Sequence, residues 1–479
     1  MTMLQAFTVV LPLGGCLLTD KPEPGLDIPQ AYDRASKDPE RAEAALPPLD
    51  WWRSFRSREL TELIEEARAA NLDNAVAVAR IVQADAQARM AGAALLPSLT
   101  ANGNASRTQS SKTTGLGNGQ PFVDNSGFTV GNRLTASLQA SYELDFWGKN
   151  RSNLRNYEEL AVASRYDRER VGLATMISTA NAYFQVLASQ DRLRVARENL
   201  TSSTRVLNLI QQRLNAGTAS ALDTAQQEAL VANVRASIPP LEQTLVQNRN
   251  ALALLIARPP EHVKVVGGSL RSVAYPRVTP GLPSELLTQR PDIREAEANL
   301  AAANANVENA RAQMLPSIKL TGEGGYESSV LKLLFRPESV FFNLAAGLTQ
   351  PIFDGGALQG NLDLRKGQQD ELLQTYRKAV ISGFSDVETA LNDIAQTATR
   401  EKLLRDAVAS SRRAFDISEQ RLREGTVDLV TVLQTQQTLF TAEDNLAQAR
   451  LAHVQAIVSL YSALGGGWLP KPVEASNAR

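Results

Sequence analysis

Few side chains in this sequence have the types and spacing that metal or covalent chemistry requires. The two histidines, His262 and His453, lie far apart, and neither has a second histidine at ligand spacing. The single cysteine excludes an intramolecular disulfide and a cysteine zinc cluster. No glycine-rich phosphate loop precedes a helix, no Ser/His/Asp grouping is found, and carboxylate pairs such as Glu65–Glu66 lie in helical surface patterns. The sequence therefore predicts no metal site, no cofactor and no enzymatic activity.

The one cysteine, Cys16, is the residue with the clearest chemical role. It follows an apolar stretch that ends in Leu-Gly-Gly, and this arrangement resembles a bacterial lipoprotein box, in which the cysteine is lipidated after cleavage. We therefore predict a signal peptide over residues 1–15 and a lipid-anchored, extended segment over residues 16–58. No aspartate directly follows the cysteine, which favours the outer membrane by resemblance to sorting rules. An ordinary cysteine in an untrimmed start is the alternative, because no Lys or Arg precedes the cysteine.

The composition narrows the class of partner. The chain has 479 residues, of which 43% are hydrophobic, and is too long for one simple core. Its 50 basic and 51 acidic residues give a formal net charge of −1, and no basic block with interleaved aromatic residues is present. Nucleic acid is therefore not a predicted partner.

An internal duplication organises the chain. Two first-half segments and one junction recur in the same order about two hundred residues later: 95–106 with 314–325, 143–149 with 350–356, and 213–227 with 421–437. We predict a first repeat over residues 59–258 and a second over 284–465. A Pro-rich connector over 259–283 separates them, and residues 466–479 form a tail.

Each repeat contains one very long predicted helix, between Gly148 and Gly217 and between Gly360 and Gly425. Both stretches lack proline and are rich in strong helix formers, so each could approach ~100 Å at 1.5 Å per residue. The glycines at their ends favour helix termination. Shorter helices are predicted at about 59–95, 219–257, 284–314 and 427–464. The segments at 59–95 and 284–314 are of the right kind to stack end to end with the two half-length return helices.

Each repeat also contains two predicted strands, at about 98–107 and 133–146, then 317–328 and 341–353. In the second strand, one parity is apolar and the other is polar; the apolar members are Leu134, Ala136, Leu138, Ala140, Tyr142, Leu144 and Phe146. Long strands with polar rather than charged residues opposite the apolar ones are typical of an outer-membrane barrel wall. The aromatic residues Phe146, Trp147 and Phe353 at strand ends suit an interfacial girdle.

Four strands cannot close a membrane barrel, because an open edge in lipid leaves backbone groups unpaired. We therefore expect the chain to assemble with copies of itself. Two copies would supply eight strands packed with side chains, and three would supply twelve strands and a lumen. The strand pattern predicts an oligomer without choosing between these numbers.

The paired Leu-Pro-Ser motifs, the two Gly-Thr turns, the Asp50-Trp51-Trp52 start and the stretch 289–317 resemble TolC-like outer-membrane efflux proteins. The nearest branch is the lipidated NodT/OprM type that serves RND pumps. The resemblance implies a mixed α and β membrane protein, a homotrimer with a twelve-stranded outer-membrane β-barrel, four strands per chain. A long periplasmic α-helical barrel would continue it, with an iris-like gate at the periplasmic tip. It also implies outer-membrane lipid, a periplasmic adaptor (membrane fusion protein) and an inner-membrane RND-type transporter as partners.

The resemblance also implies gate residues. An apolar residue and an acidic residue one turn later line the family's constriction, and these positions are Val430 and Gln434 here. Gln434 departs from the acidic pattern, so Asp428 is the nearby candidate for negative charge. Asp223 matches a gate-contact position, but its usual basic partner is Val427 in this chain. Helix capping is the alternative role for both aspartates.

The tip turns that the adaptor grips in the family match six residues: Arg213, Leu214, Gly217, Arg421, Leu422 and Gly425. The alternative role of the two glycines is to end a helix, and this role does not exclude contact with the adaptor.

Two other functions stay open from sequence. The outer-membrane duct of a type I protein secretion system has the same architecture with another cargo. A soluble periplasmic coiled-coil scaffold or adaptor would explain the helices, but it leaves the alternating strands unexplained, and no lipoyl-like domain is evident.

Overall fold

A computed structural model describes residues 25–26, 28–29, 32, 48–109, 130–278, 281 and 283–468. The predicted signal peptide, Cys16 and most of the predicted tail lie outside the described residues. The described chain is mixed α and β and divides into two compact units. The described parts of the first unit are 83–109, 130–161 and 298–374, and the second contains the described residues of 25–82, 162–297 and 375–479.

The first unit contains a four-stranded antiparallel sheet in the order β1-β2-β3-β4. The strands are β1 (Ser98–Gln109), β2 (Val130–Leu144), β3 (Ser317–Ser328) and β4 (Val340–Thr349). β1 and β2 come from the first repeat, and β3 and β4 from the second, so the β2–β3 pairing joins the two repeats in one sheet. Within the described sheet, β1 and β4 are edge strands that each have one unpaired side.

The strand register places all the apolar parities on one face. Leu138 of β2 lies opposite Ala101 of β1 and Gly324 of β3, and Gly324 in turn lies opposite Phe342 of β4. Directly paired residues share a face, so four separate alternating patterns form a single apolar surface. That surface is open in one chain, where Leu99, Leu138 and Phe342 are 69%, 54% and 81% exposed.

Five strand ends differ from the predicted ranges. Two of the differences are small: β1 ends two residues later, at Gln109, and β4 begins one residue earlier, at Val340. β2 begins at Val130 rather than 133 because β1 extends to Gln109 and pairs with it. β2 ends at Leu144, since the turn that follows passes through Gly148 at φ +79°. β4 ends at Thr349 rather than 353, because Pro351 has no N–H to donate to a ladder. The third strand has the range that the sequence pattern indicates.

Nine α-helices lie within the described residues, and two of them are very long. They are α1 (Arg58–Ala70), α2 (Leu72–Gly92), α3 (Lys149–Asn215), α4 (Ala221–Ala236), α5 (Ile238–Leu255), α6 (Pro283–Gln289), α7 (Pro291–Ala312), α8 (Ala357–Arg423) and α9 (Leu429–Ala463). Both α3 and α8 have 67 residues, which corresponds to roughly 100 Å. None of the helices in these ranges is both long and apolar enough to cross a bilayer.

Three helices expected to be continuous are each interrupted at one residue. The break between α4 and α5 lies at Ser237, where Pro239 and Pro240 begin the next helix without needing hydrogen-bond donors. Asn71 separates α1 from α2, and its Oδ1 accepts from the N–H of Asp73 at 2.9 Å. Pro291 begins α7 directly after Arg290.

The main core of the second unit is aromatic. Trp51 is fully buried and stacks on Tyr461 of α9, with ring centroids 4.9 Å apart. Phe55 packs against Phe184 of α3 at 5.2 Å. The short 3-10 helix that carries Trp51 and Phe55 is therefore held against both long-helix repeats, which explains why an aromatic Asp-Trp-Trp motif precedes the first helix.

Candidate functional site

The two turns that follow the long helices have the same backbone geometry. Gly217 and Gly425 adopt φ of +74° and +76°, a conformation that a side chain would strain. The N–H of Thr218 donates to the carbonyl of Arg213 at 2.8 Å, and Thr426 donates to Arg421 at 2.9 Å. These are the helix-terminating contacts of a glycine C-cap, so the duplicated Arg-Leu-x-x-Gly-Thr sequence forms a duplicated structure.

The structure brings the two predicted tip turns together through Arg213. Its guanidinium donates to the backbone carbonyl of Leu422, near the end of α8, and to the carbonyl of Thr218 at 3.4 Å. Leu422 is buried, whereas Arg421 and Gly425 are exposed. The six candidate docking residues therefore differ in exposure. Leu422 is buried, and the guanidinium of Arg213 already binds two carbonyl groups. The other four are exposed: Leu214, Gly217, Arg421 and Gly425.

Both predicted aspartates cap helices. The carboxylate of Asp428 accepts from the N–H of Thr431 at 3.0 Å and from its hydroxyl at 2.6 Å. These hydrogen bonds hold the pKa of the Asp428 carboxyl below its usual value. Asp223 forms a capping box with Ser220: its carboxylate accepts from the Ser220 N–H at 2.8 Å, and Ser220 Oγ accepts in return from the Asp223 N–H.

Val430 and Gln434 lie on one exposed face of α9. They are one helical turn apart, both are exposed, and Val430 is 47% exposed. Leu429 and Val432 point the other way, into an apolar cluster with Val206, Ile210, Phe415, Leu422 and Leu439. The first turn of α9 thus presents an apolar residue followed by an amide on a face that one chain leaves uncovered.

A buried polar cluster lies beside this apolar cluster, and the sequence interpretation missed it. Gln227 and Gln436 are both fully buried; Gln227 donates to the carbonyl of Ser203 at 2.9 Å and Gln436 donates to its hydroxyl at 3.3 Å. A sequence signal existed, because Gln436 occupies a position in the three- and four-residue spacing that otherwise buries leucine and valine in α9.

Charged contacts hold α3, α8 and α9 together above the turns. Arg205 of α3 forms a two-pronged ion pair with Glu419 of α8, at 3.0 and 2.8 Å. Arg412 of α8 pairs with Glu443 of α9, whose carboxylate is largely buried. Arg192 pairs with Asp444 at 2.6 Å. Because a guanidinium binds a carboxylate in a fixed geometry, these pairs restrain how α3, α8 and α9 are aligned along their axes.

In the first unit, the polar face of the sheet carries its own charges. Arg133 of β2 pairs with Glu327 of β3 at 2.8 Å, and Lys149 pairs with Glu143. Glu323, near the middle of β3, accepts from Ser137 Oγ at 2.8 Å. Water can solvate such a face, whereas the apolar face on the opposite side has no charged residue in the centre of its strands. Phe146 and Phe353, at strand ends, are 62% and 91% exposed.

Comparison with known proteins gives a consistent set of similarities. A family model described as "Outer membrane efflux protein" matches residues 63–258 and 282–466. The pyoverdine export outer membrane protein OpmQ of Pseudomonas aeruginosa is 40% identical over 469 residues, which cover 98% of this chain and 97% of OpmQ. The cation efflux system protein CusC of Escherichia coli is 31% identical over 97% of this chain and 98% of its own. The open-state structure of the Neisseria gonorrhoeae MtrE outer membrane channel is 29% identical, with a TM-score of 0.81 over 93% of this chain and 97% of MtrE.

Proposed function

Because this chain belongs to the outer membrane efflux protein family, we propose that it is the exit duct of a tripartite efflux pump. Substrates pass through it passively from the pump and the periplasm to the exterior. The sheet carries this proposal: its register collects one apolar face and one polar face from four strands, as a wall between lipid and water requires.

The complete wall is a homotrimer. Three copies of a four-stranded sheet give twelve strands, and pairing β4 of one copy with β1 of the next leaves no edge open to lipid. The apolar face contacts lipid, and the polar face with Glu323 lines a watery lumen. The long helices α3 and α8 continue this duct into the periplasm.

The gate lies at the turns that end α3 and α8, where three copies converge. Val430 then forms an apolar ring and Gln434 an amide ring one turn along, both on the exposed face of α9. Asp428 adds negative charge beside the turn while it caps α9. Asp223 contributes through the helix start that it stabilises. Energy for export comes from the partner transporter, since the proposed role of this chain is conduction and gating.

The partners are a periplasmic adaptor and an inner-membrane RND-type transporter. Support comes from the exposed parts of the two turns, which include Leu214, Gly217, Arg421 and Gly425. Cys16 anchors the chain to outer-membrane lipid as a lipoprotein. Pyoverdine and cations, named as cargoes of the similar proteins OpmQ and CusC, are the first compounds to test on a deletion strain.

Outer membranes extracted with detergent test the duct and its anchor together. We expect SDS-resistant trimers from the full chain, and radiolabelled palmitate in the wild type but not in Cys16→Ser. A protein that stays monomeric in aqueous buffer without detergent would instead identify a soluble scaffold. Label that persists in the serine variant would place the lipid on another residue, and a wild type without label would show that the chain is not lipidated.

Replacing Val430 with serine is expected to raise the single-channel conductance of the trimer in planar bilayers, because a smaller polar side chain widens and wets the apolar ring. Leu222, at the matching position of the first repeat, is 65% exposed and provides a control. Leu222→Ser should conduct like the wild type. Equal conductance for Val430→Ser and the wild type would remove Val430 from the constriction.

A further inference from the structure

The two repeats correspond residue by residue around the turns, with a constant offset of 208 positions. Arg213 corresponds to Arg421, Leu214 to Leu422, and Gly217 to Gly425. Their backbones agree as well: Gly217 N–H donates to Leu214 at 2.9 Å, and Gly425 N–H donates to Leu422 at 3.1 Å. Any contact made by one turn therefore has a structurally equivalent position on the other.

One contact breaks this equivalence within the chain. The Arg213 guanidinium donates to the Leu422 carbonyl, which also accepts from the Gly425 N–H. The equivalent guanidinium, that of Arg421, is exposed and has no hydrogen-bond partner among the described residues. The equivalent acceptor, the Leu214 carbonyl, receives only the N–H of Gly217 within the described chain. A donor and an acceptor of matching geometry are thus left over.

A similar difference between the repeats is found about two helical turns earlier on α3 and α8. Arg205 of α3 binds Glu419 of α8 with both prongs of its guanidinium. Its equivalent on α8, Arg413, is exposed and donates only to Ser410 Oγ of its own helix, at 3.2 Å. The residue equivalent to Glu419 is Gln211 on α3, which is also exposed. Gln211 offers an amide oxygen as an acceptor. On α8, Arg413 and Arg421 are therefore donors equivalent to Arg205 and Arg213 of α3. On α3, the Gln211 side chain and the Leu214 carbonyl are acceptors equivalent to those of Glu419 and Leu422 on α8.

We propose that Arg421 donates to the backbone carbonyl of Leu214 in a neighbouring copy of this chain, and that Arg413 approaches Gln211 of that copy. This inference rests on the trimer of the proposed function. Three internal contacts from Arg213 then alternate with three contacts between copies from Arg421 around the turns.

The two kinds of arginine contact would respond differently when the periplasmic tip opens. The internal contacts bind turns of the same chain, whereas the Arg421 contacts cross the boundaries between copies and must break first. A guanidinium bond to a carbonyl is charge-assisted and needs no acidic partner. It can therefore hold the boundary in a chain where residue 427 is valine and cannot make an ion pair with Asp223.

Two cysteine pairs test the contact by crosslinking with a short bismaleimide in outer membranes. Arg421→Cys with Asn215→Cys places thiols across the proposed boundary; Asn215 follows Leu214 and is exposed. The matched control, Arg213→Cys with Arg423→Cys, reproduces the same spacing within one chain. The wild type, which has only Cys16, controls for background.

After complete denaturation in urea, the first pair should give covalent dimers and trimers, and the control pair should remain at monomer size. If undenatured trimers form but the first pair stays monomeric, the Arg421 contact is wrong and the duct stands. If no trimer forms in the wild type, both proposals fail.

A functional readout separates a bond from mere proximity. Arg421→Ala should raise conductance above wild type, and Arg421→Lys should lie between, because an ammonium donates without the fixed fork of a guanidinium. Identical conductance in all three proteins would show that Arg421 does not restrain the boundary.

Discussion

Replacing Leu138 with arginine is expected to keep the protein from assembling in the outer membrane. Leu138 lies near the middle of β2 on the apolar face and is 54% exposed in one chain. An arginine on the lipid face at the bilayer midplane costs about 2–4 kcal/mol, and a trimer carries the substitution three times. The measurement is the amount of SDS-resistant trimer in the outer-membrane fraction.

The adjacent residue gives a control with the same charge and a different face. Gln139 lies opposite Glu323 on the polar face, so Gln139→Arg places its guanidinium beside a carboxylate in the proposed lumen. We expect near-normal trimer yield from this variant. If both arginines were tolerated equally, or if Gln139→Arg were the harmful one, the apolar face would not be the one in lipid.

Replacing Glu401 with leucine is expected to lower the free energy of unfolding by about 3–5 kcal/mol, because it leaves buried positive charge uncompensated. The Glu401 side chain is 4% exposed, accepts from His453 Nδ1 at 2.9 Å and from Arg405 at 2.8 Å, and lies 3.6 Å from Arg450. An exposed pair on α3 is the control: Glu198→Ala, which removes one of the two carboxylate partners of Arg194 and leaves Asp191, should cost about 1 kcal/mol or less. Denaturant unfolding in detergent measures both.

The effect of Glu401 should also depend on pH. Burial alone raises the pKa of the Glu401 carboxyl, but the hydrogen bonds from His453 and Arg405 outweigh it and hold the pKa below the ordinary value of 4.5. A carboxyl with a lowered pKa in the folded state stabilises the fold above that ordinary value and loses this contribution as pH falls through the lower one. The stability gap between wild type and Glu401→Leu should therefore be widest near neutral pH and narrow progressively below about pH 4.5. A gap that stayed constant to acid pH would contradict this account.

The local elements were predictable because their signals are local. The alternation from Leu134 to Leu144 identified a strand with two unlike faces, and the register confirms that all four apolar parities share one face. The family and the mixed α and β fold inferred from the paired motifs are also confirmed. The helix break at Ser237 had a signal in Pro239-Pro240 that the strong helical composition around it concealed.

The contacts that position the site depend on distances that the sequence does not contain. Arg213 and Leu422 are 209 residues apart, and His453 and Glu401 are 52 apart. Periodicity identifies which face of a helix is apolar, but it does not show which charged residue on a second helix comes to lie beside it. Gln227 and Gln436 were missed for a related reason, since glutamine in a helix is usually read as a surface residue.

The two free sheet edges have a genetic consequence. β1 and β4 belong to different repeats, so each chain offers two unlike edges to its neighbours. A subunit whose β4 edge can no longer pair still has an intact β1 edge. It can therefore pair with one wild-type neighbour through β1 and prevent the barrel from closing at β4. Such an allele would be dominant negative. Expressed beside the normal gene, it would inactivate most mixed trimers and make the cell sensitive to the exported compounds.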